Sequence, residues 1–298
     1  MRVKRAIICL ILLTAGLASA GPARAEKCRA KVDRLCEEER SQRIPLRIYR
    51  DFFVVAEGRL GDASASQNFI LDTGTRPSII NSSQVKHLGL VTTPLTLRAF
   101  GKTIEARAAV IPMIELGPIT AVSLPVQVRD LSWFESDLGI PIAGIIGMDV
   151  LSMFSFHLDY EKREVEFGDA PHQGIPAHID ARSGLALAEV RIEGKEVRLL
   201  VDTGSNRVVL FGGNFADAGW LTLRNTLHTG ASLIDPKMHV QEFSAADIIL
   251  GGQHFSDDLV YFIPKSSDPV FDGLLGVRAL GIRSVSFDQA SGTIYLEK

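Results

Sequence analysis

Cysteine is scarce in this chain: Cys9, Cys28 and Cys36 are all there is in 298 residues. No CxxC pair occurs, and the spacing of Cys28 and Cys36 does not suit a zinc site. The seven histidines (His87, His157, His172, His178, His228, His239 and His254) are scattered, with no HExxH or comparable spacing. No metal and no cofactor is therefore expected. A GxSxG elbow is also missing, which leaves a serine hydrolase unsupported. Gly212-Gly213 and Gly251-Gly252 are not followed by a P-loop lysine and read as turns. With a net charge of −3 and no basic stripe, nothing points to nucleic acid. Long amphipathic helices are absent beyond the N-terminus. Met148 and Met153 read as core residues, and Trp133 and Trp220 as core residues or, alternatively, as lining of a cleft.

The longest apolar run, Ala6 to Leu17, is too short for a comfortable membrane span. Arg2, Lys4 and Arg5 precede it. Ala18-Ser19-Ala20 and Ala23-Arg24-Ala25 follow as small-x-small cleavage sites. Residues 1–25 read as a secretory signal peptide, with an uncleaved anchor as the alternative. The expected protein is exported, periplasmic or secreted, with no stable membrane insertion once the leader is removed. Cleavage after Ala20 leaves a charge of −6 and cleavage after Ala25 leaves −7. Cys28 and Cys36 then remain as an even pair in an oxidising compartment. A disulfide between them requires the segment to turn back, because eight residues of helix would separate them by about 12 Å. Free thiols and an intermolecular bridge stay open. Residues 26–43 are dense in both charges and read as a solvated helix or tail, or as a prosegment or docking arm.

What the chain does have is a repeat. Asp72-Thr73-Gly74 and Asp202-Thr203-Gly204 each follow an apolar run, Phe69-Ile70-Leu71 and Leu199-Leu200-Val201, and precede a hydroxyl residue, Thr75 or Ser205. A glycine lies seventeen residues after each aspartate, Gly89 and Gly219, closing short helical stretches at Ser82–Leu88 and Gly213–Ala218. Ile44-Pro45 matches Ile175-Pro176, and Ile145-Ile146-Gly147 matches Leu274-Leu275-Gly276. The offset between copies drifts from 131 at the prolines to 130 at the aspartates and 129 at the later glycines. Alternating strands close each copy, at Glu164–Phe167 and Thr293–Leu296. Two homologous units are expected at 44–168 and 175–298, joined by a linker at 169–174. Short apolar runs between Gly, Pro, Asp and Ser turns make the fold all-β.

Doubling the aspartate has a chemical meaning. One carboxylate does little hydrolysis alone, but two held face to face cannot both ionise cheaply and so bind one proton between them. The charged member can act as general base and the protonated one as general acid. Glycine at the third position lets the loop pass close to its neighbour.

On these residues, together with Gly144-Ile145-Ile146-Gly147-Met148-Asp149-Val150-Leu151 and Asp272-Gly273-Leu274-Leu275-Gly276, the chain resembles an aspartic protease. It is similar to two retropepsin-like domains fused in tandem, as in exported bacterial aspartyl proteases. The resemblance runs from Ile44 to Lys298. It implies two β-barrel lobes with the active site at their interface, Asp72 and Asp202 as the catalytic dyad, and the apolar-apolar-Gly segments as braces behind the catalytic loops. It further implies that Thr73 and Thr203 interlock the loops and that Gly74 and Gly204 shape them. Thr75 and Ser205 are expected to hydrogen-bond the carboxylates, which favours their charged form and an acidic to mildly acidic optimum. The substrate would be a protein or peptide, and the monomer would be active.

Two departures stand out. Pepsins carry a flap tyrosine, whereas no tyrosine lies between Tyr49 and Tyr160; Phe100 and Gly101 take the place of a flap tip, and Gly230 the similar place in the second unit. Arg278 stands where the first brace has Asp149. These departures support the rival reading, a catalytically silent peptide-binding or scaffold protein of the same fold. Hydrolysis of a non-peptide substrate is a third reading.

Overall fold

The computed structural model describes residues 6–7, 42–61, 65–99, 102–168, 170–181, 183–215, 219–231, 238–255, 258–264 and 266–298. Cys28 and Cys36, residues 1–25 apart from Ala6–Ile7, and Phe100-Gly101 lie outside the described residues.

The first lobe is a closed sheet. Its strands are β2 (Arg47–Tyr49), β3 (Phe53–Leu60), β4 (Gln67–Leu71), β5 (Ile79–Asn81), β6 (Thr93–Ala99), β7 (Lys102–Leu116), β8 (Ile119–Arg129) and β9 (Gly144–Ile146). Neighbours run β3-β4-β9-β5-β8-β7, and β7 returns to β3 through Arg59 opposite Glu115 and Leu60 opposite Ile114. An ion pair of 2.6 Å between Arg59 and Glu115 sits on that seam. Gly58 is needed beside it, because a Cβ there would stand 2.6 Å from the Glu115 carbonyl oxygen. Helix α1 (Ser82–His87) is capped by the Asn81 side chain and ends before Gly89, which has φ +62°. Helices α2 (Ser132–Leu138) and α3 (Met148–Leu151) flank β9.

The second lobe repeats this plan. It uses β13 (Ala186–Ile192), β14 (Lys195–Asp202), β15 (Val208–Phe211), β16 (Thr222–Ala231), β17 (Met238–Ala245), β18 (Ile248–Leu250), β19 (Gln253–Phe255), β20 (Asp258–Ile263) and β21 (Gly273–Gly276). Strands β17 and β18 together occupy the place of the long β7, and β18 pairs back to β13 to close the lobe. At the break between them the Glu193 carboxylate accepts from the Asp247 amide at 3.2 Å. The helix expected at Gly213–Ala218 is instead a 3-10 turn at Gly212–Asn214; residues 216–218 lie outside the described residues. A Cβ on Gly213 would crowd the Ser266 carbonyl at 2.8 Å, so close backbone approach fixes that turn.

A six-stranded layer joins the lobes. It runs β1 (Gln42–Pro45), β11 (Glu164–Phe167), β10 (Phe156–Asp159), β22 (Ser284–Asp288), β23 (Thr293–Glu297) and β12 (Ile175–Ile179). A pseudo-two-fold passes between β10 and β22, where Phe156 pairs Phe287 and Leu158 pairs Val285. The rings of Phe156 and Phe287 stack at 4.4 Å.

Burial on both faces explains the unbroken apolar runs before the aspartates. Along a strand, alternate side chains point to opposite faces. Phe69 and Leu71 enter one buried apolar cluster, whereas Ile70 enters a second. Likewise Leu199 and Val201 enter the first and Leu200 the second. The second cluster draws on both lobes, with Phe53, Ile70, Phe134 and Ile145 from one and Leu187, Leu200, Phe211 and Leu274 from the other. The strands that present the aspartates are thus clamped from two sides, which gives the loops beyond them a rigid base.

Candidate active site

Both Asp-Thr-Gly loops are braced from behind in the same way. In lobe 1, β9 runs parallel to β4, with Ile146 beside Leu71. The Asp72 amide donates to the Ile146 carbonyl at 3.0 Å, and the Met148 amide donates to the Thr75 carbonyl at 2.9 Å. In lobe 2, β21 runs parallel to β14, with Gly276 beside Asp202. The Val277 amide donates to the Asp202 carbonyl at 3.1 Å and the Gly276 amide to the Arg207 carbonyl at 3.0 Å. Glycine is obligatory in each brace: a Cβ on Gly147 would overlap the Thr75 carbonyl oxygen, and one on Gly276 would meet the Ser205 carbonyl at 2.5 Å.

The loops interlock across the lobes. Thr73 Oγ1 donates to the Val201 carbonyl at 2.8 Å and accepts from the Thr203 amide at 3.1 Å. Thr203 Oγ1 donates to the Leu71 carbonyl at 3.1 Å and accepts from the Thr73 amide at 3.0 Å. All four bonds are buried, so each is costly to leave unmade. They place the two loops back to back around the pseudo-two-fold and set Asp202 beside Asp72.

Both carboxyl groups are fully buried. Asp72 accepts from the Gly74 amide at 2.8 Å and from Thr75 Oγ1 at 2.8 Å. Asp202 accepts from the Gly204 amide at 2.7 Å. Ser205 does not complete the symmetry. Its hydroxyl donates to the Arg207 carbonyl at 3.1 Å instead of to Asp202, correcting the expectation drawn from its position. Oδ2 of Asp202 is buried and finds no donor among the other described residues. Its neighbour is the carboxyl group of Asp72, and a hydrogen bond between two carboxyls needs a proton on one of them. Burial first, then the charge of Asp72, pushes the pKa of Asp202 well above the ordinary carboxylate range. The pair therefore retains a proton where isolated carboxyls would lose theirs, and the hydrogen bonding favours Asp202 as its holder.

Beneath the dyad the halves differ. In lobe 1, Asp149 accepts from the Ser78 amide at 3.0 Å and from Ser78 Oγ at 2.7 Å, and Ser78 Oγ in turn accepts from the Gly147 amide at 2.9 Å. In lobe 2, Arg278 donates to the Ile282 carbonyl and lies over the Tyr160 ring at 5.1 Å. The Tyr160 phenol is buried without a hydrogen-bond partner among the described residues. Its pKa is raised, chiefly by burial; the dyad carboxylates add to the rise and Arg278 opposes it. Ser78 and Tyr160 had no signal in the sequence, since a lone serine or tyrosine outside a motif names no role.

The flap positions divide. Strands β6 and β7 form a hairpin that Phe100-Gly101 connects, and those two residues lie outside the described ones. Gly230 is in β16, opposite Met238 of β17, rather than in the connection at 232–237, which lies outside the described residues. Trp133 stacks on Phe134 at 3.8 Å and packs partly buried against the cluster shared by the lobes. Trp220 lies near Phe215, with Lys195 above its ring at 5.1 Å.

No curated protein matches this chain. A family model described as aspartyl protease matches residues 56–150 and 188–279. Each matched stretch holds one Asp-Thr-Gly loop with its brace, and together they cover more than half of the sequence: the chain belongs to the aspartyl protease family.

Proposed function

We propose that the protein is an aspartic endopeptidase that cuts peptide bonds with water held between Asp72 and Asp202. The observation that carries this reading is the buried pair itself: two carboxyls on interlocked loops, with the pKa of Asp202 raised by burial and by its neighbour. In the reaction the Asp72 carboxylate takes a proton from water, and the hydroxide so formed attacks the scissile carbonyl carbon. Asp202 donates its proton to the carbonyl oxygen. The tetrahedral intermediate collapses as the proton on Asp72 passes to the amide nitrogen and the C–N bond breaks. Asp202 recovers its proton from the intermediate's hydroxyl, which restores the starting state. One chain supplies both carboxylates, so the monomer is the active species. With the leader read as a signal peptide, it acts in the periplasm or outside the cell, on protein or peptide.

The test is incubation of the purified protein with an unfolded protein across a range of pH, beside Asp72→Asn and Asp202→Asn. Cleavage by the wild type that drops by about 10²–10⁴-fold in both variants is expected. A folded wild type that binds peptides and cuts none would instead favour the silent scaffold. Cleavage that survives both substitutions would remove the dyad from the mechanism. Export is checked by the N-terminus of the mature protein, expected at Gly21 or Glu26.

A further inference from the structure

The loops that carry the dyad each lead into an arginine. Arg76 stands four residues after Asp72 and Arg207 five after Asp202. Residues 72–75 and 202–205 are buried, and both arginines are half-buried. Arg76 reaches across the lobes: its Nη1 donates to the Ser183 carbonyl at 3.3 Å, against Gly184, where a Cβ would overlap the guanidinium. Ser183 is itself held by Asp180, which accepts from its amide at 2.8 Å. Arg207 lies 5.9 Å from the ring of Tyr261, a member of the apolar cluster shared by both lobes, and its Nη1 donates to the Asn206 carbonyl at 2.9 Å. Its Nε is buried and finds no hydrogen-bond partner among the described residues.

Neither guanidinium forms an ion pair with a carboxylate among the described residues. Among the described residues Arg43, Arg47, Arg50, Arg59 and Arg283 meet carboxylates, whereas Arg278, like Arg76, donates to a backbone carbonyl. A half-buried guanidinium that makes only carbonyl contacts keeps most of its charge-assisted bonding capacity for another acceptor. The two arginines do not match each other in the repeat, but each lobe contributes one, Arg76 just beyond the loop of Asp72 and Arg207 just beyond that of Asp202.

We propose that Arg76 and Arg207 are specificity residues that select peptides with acidic side chains on both sides of the scissile bond. This rests on the peptidase reading and names its substrate class. An extended peptide crossing the dyad would offer one carboxylate to each arginine, while a basic residue at either place would be repelled.

The experiment uses the purified protein and fluorogenic peptides with an apolar scissile pair. Each peptide carries one Glu, Gln or Lys at one of the flanking positions on either side. Glu is expected to exceed Gln by about tenfold in kcat/KM at one position on each side, the gain of one partly screened charge-assisted pair. Lys should fall below Gln, and the preference should shrink as salt rises. Arg76→Ala should abolish it on one side only and Arg207→Ala on the other, with Lys substitutions retaining part of it. Melting temperatures check that the variants fold; where an Ala variant does not, the Lys variant and the wild-type salt series decide. Equal cleavage of the Glu, Gln and Lys peptides would overturn the proposal and leave the peptidase standing. A second measurement, binding of labelled peptides to Asp72→Asn, separates the two ideas. Tighter binding of Glu peptides without wild-type cleavage would sink the peptidase and support the arginine sites.

Discussion

Thr75 and Ser205 occupy equivalent places in the repeat, yet only Thr75 bonds its aspartate. The Thr75 hydroxyl donates to Asp72 Oδ2 at 2.8 Å in a fully buried setting, whereas Ser205 donates to Arg207. Thr75→Val keeps the β-branched shape and removes only the donor. A hydrogen bond to a charged group contributes about 1.5–3 kcal/mol. At about 1.4 kcal/mol per pKa unit, its loss should raise the lower ionisation of the dyad by roughly 1–2 units. The sign follows from the donor's preference for the charged carboxylate: without it, protonation of the second carboxyl begins at higher pH. The acidic limb of a kcat/KM–pH profile reports that ionisation in the free enzyme. In Thr75→Val this limb should move to higher pH by that amount. In Ser205→Ala it should stay in place, since no bond to the dyad is lost. Equal shifts in the two variants, or a shift only in Ser205→Ala, would refute the assignment of Asp72 as the charged member.

Three further perturbations test the frame. The folded pKa of Asp202 is raised, so in the unfolded chain it ionises more readily; folding stability is intact below the unfolded carboxylate value near pH ~4 and is lost as pH rises towards the folded pKa. Asp202→Asn should accordingly melt above the wild type at neutral pH and level with it at about pH 3, as calorimetry would show. Thr73→Ala orphans the Val201 carbonyl and the Thr203 amide, both buried, and should lower stability by about 2–5 kcal/mol in urea unfolding. Combined with Thr203→Ala the loss should fall short of the sum, because the two side chains serve one interlock. Gly276→Ala drives a Cβ to 2.5 Å from the Ser205 carbonyl and 2.7 Å from the Arg207 amide. As backbone atoms must move, about 1–3 kcal/mol should be lost along with activity.

Much of this was written in the chain order of residues. The runs Phe69-Ile70-Leu71 and Leu199-Leu200-Val201 announce buried strands, and the structure adds that their alternate side chains divide between two clusters. The braces were legible through the resemblance, as apolar-apolar-Gly segments threading behind the loops, and the two lobes as a repeat. The fate of Ser205 was not. Serine and threonine are chemically alike at that place, and the choice of acceptor depends on where the next backbone carbonyl turns. In lobe 2 the Arg207 carbonyl comes within reach of Ser205 and also receives the Gly276 amide. In lobe 1 the matching brace amide, Gly147, goes to the Ser78 hydroxyl. Such differences arise from tertiary packing that no local pattern encodes. Tyr160 is a second instance: only the layer between the lobes brings it under the dyad with Arg278 over its ring.

A shared proton between identical, symmetric carboxyls has no preferred owner. Fusing two units in one chain removes that degeneracy, because each position can then hold a different residue. Thr75 and the turned-away Ser205 give one carboxyl a hydroxyl donor that the other lacks. Asp149 and Arg278 put opposite charges at matching places in the two braces. Arg76 faces Asn206 in the repeat, and Arg207 faces Pro77. The interlocking threonines, by contrast, are the same in both halves and make matching bonds in each direction. Symmetry is thus kept where the two loops must fit one another, and broken where each loop meets the proton or the proposed substrate. A dyad built this way should hold its proton mainly on Asp202, so that in the proposed peptidase reaction the base would face the water from a fixed side and the direction of cutting would be set by the chain itself.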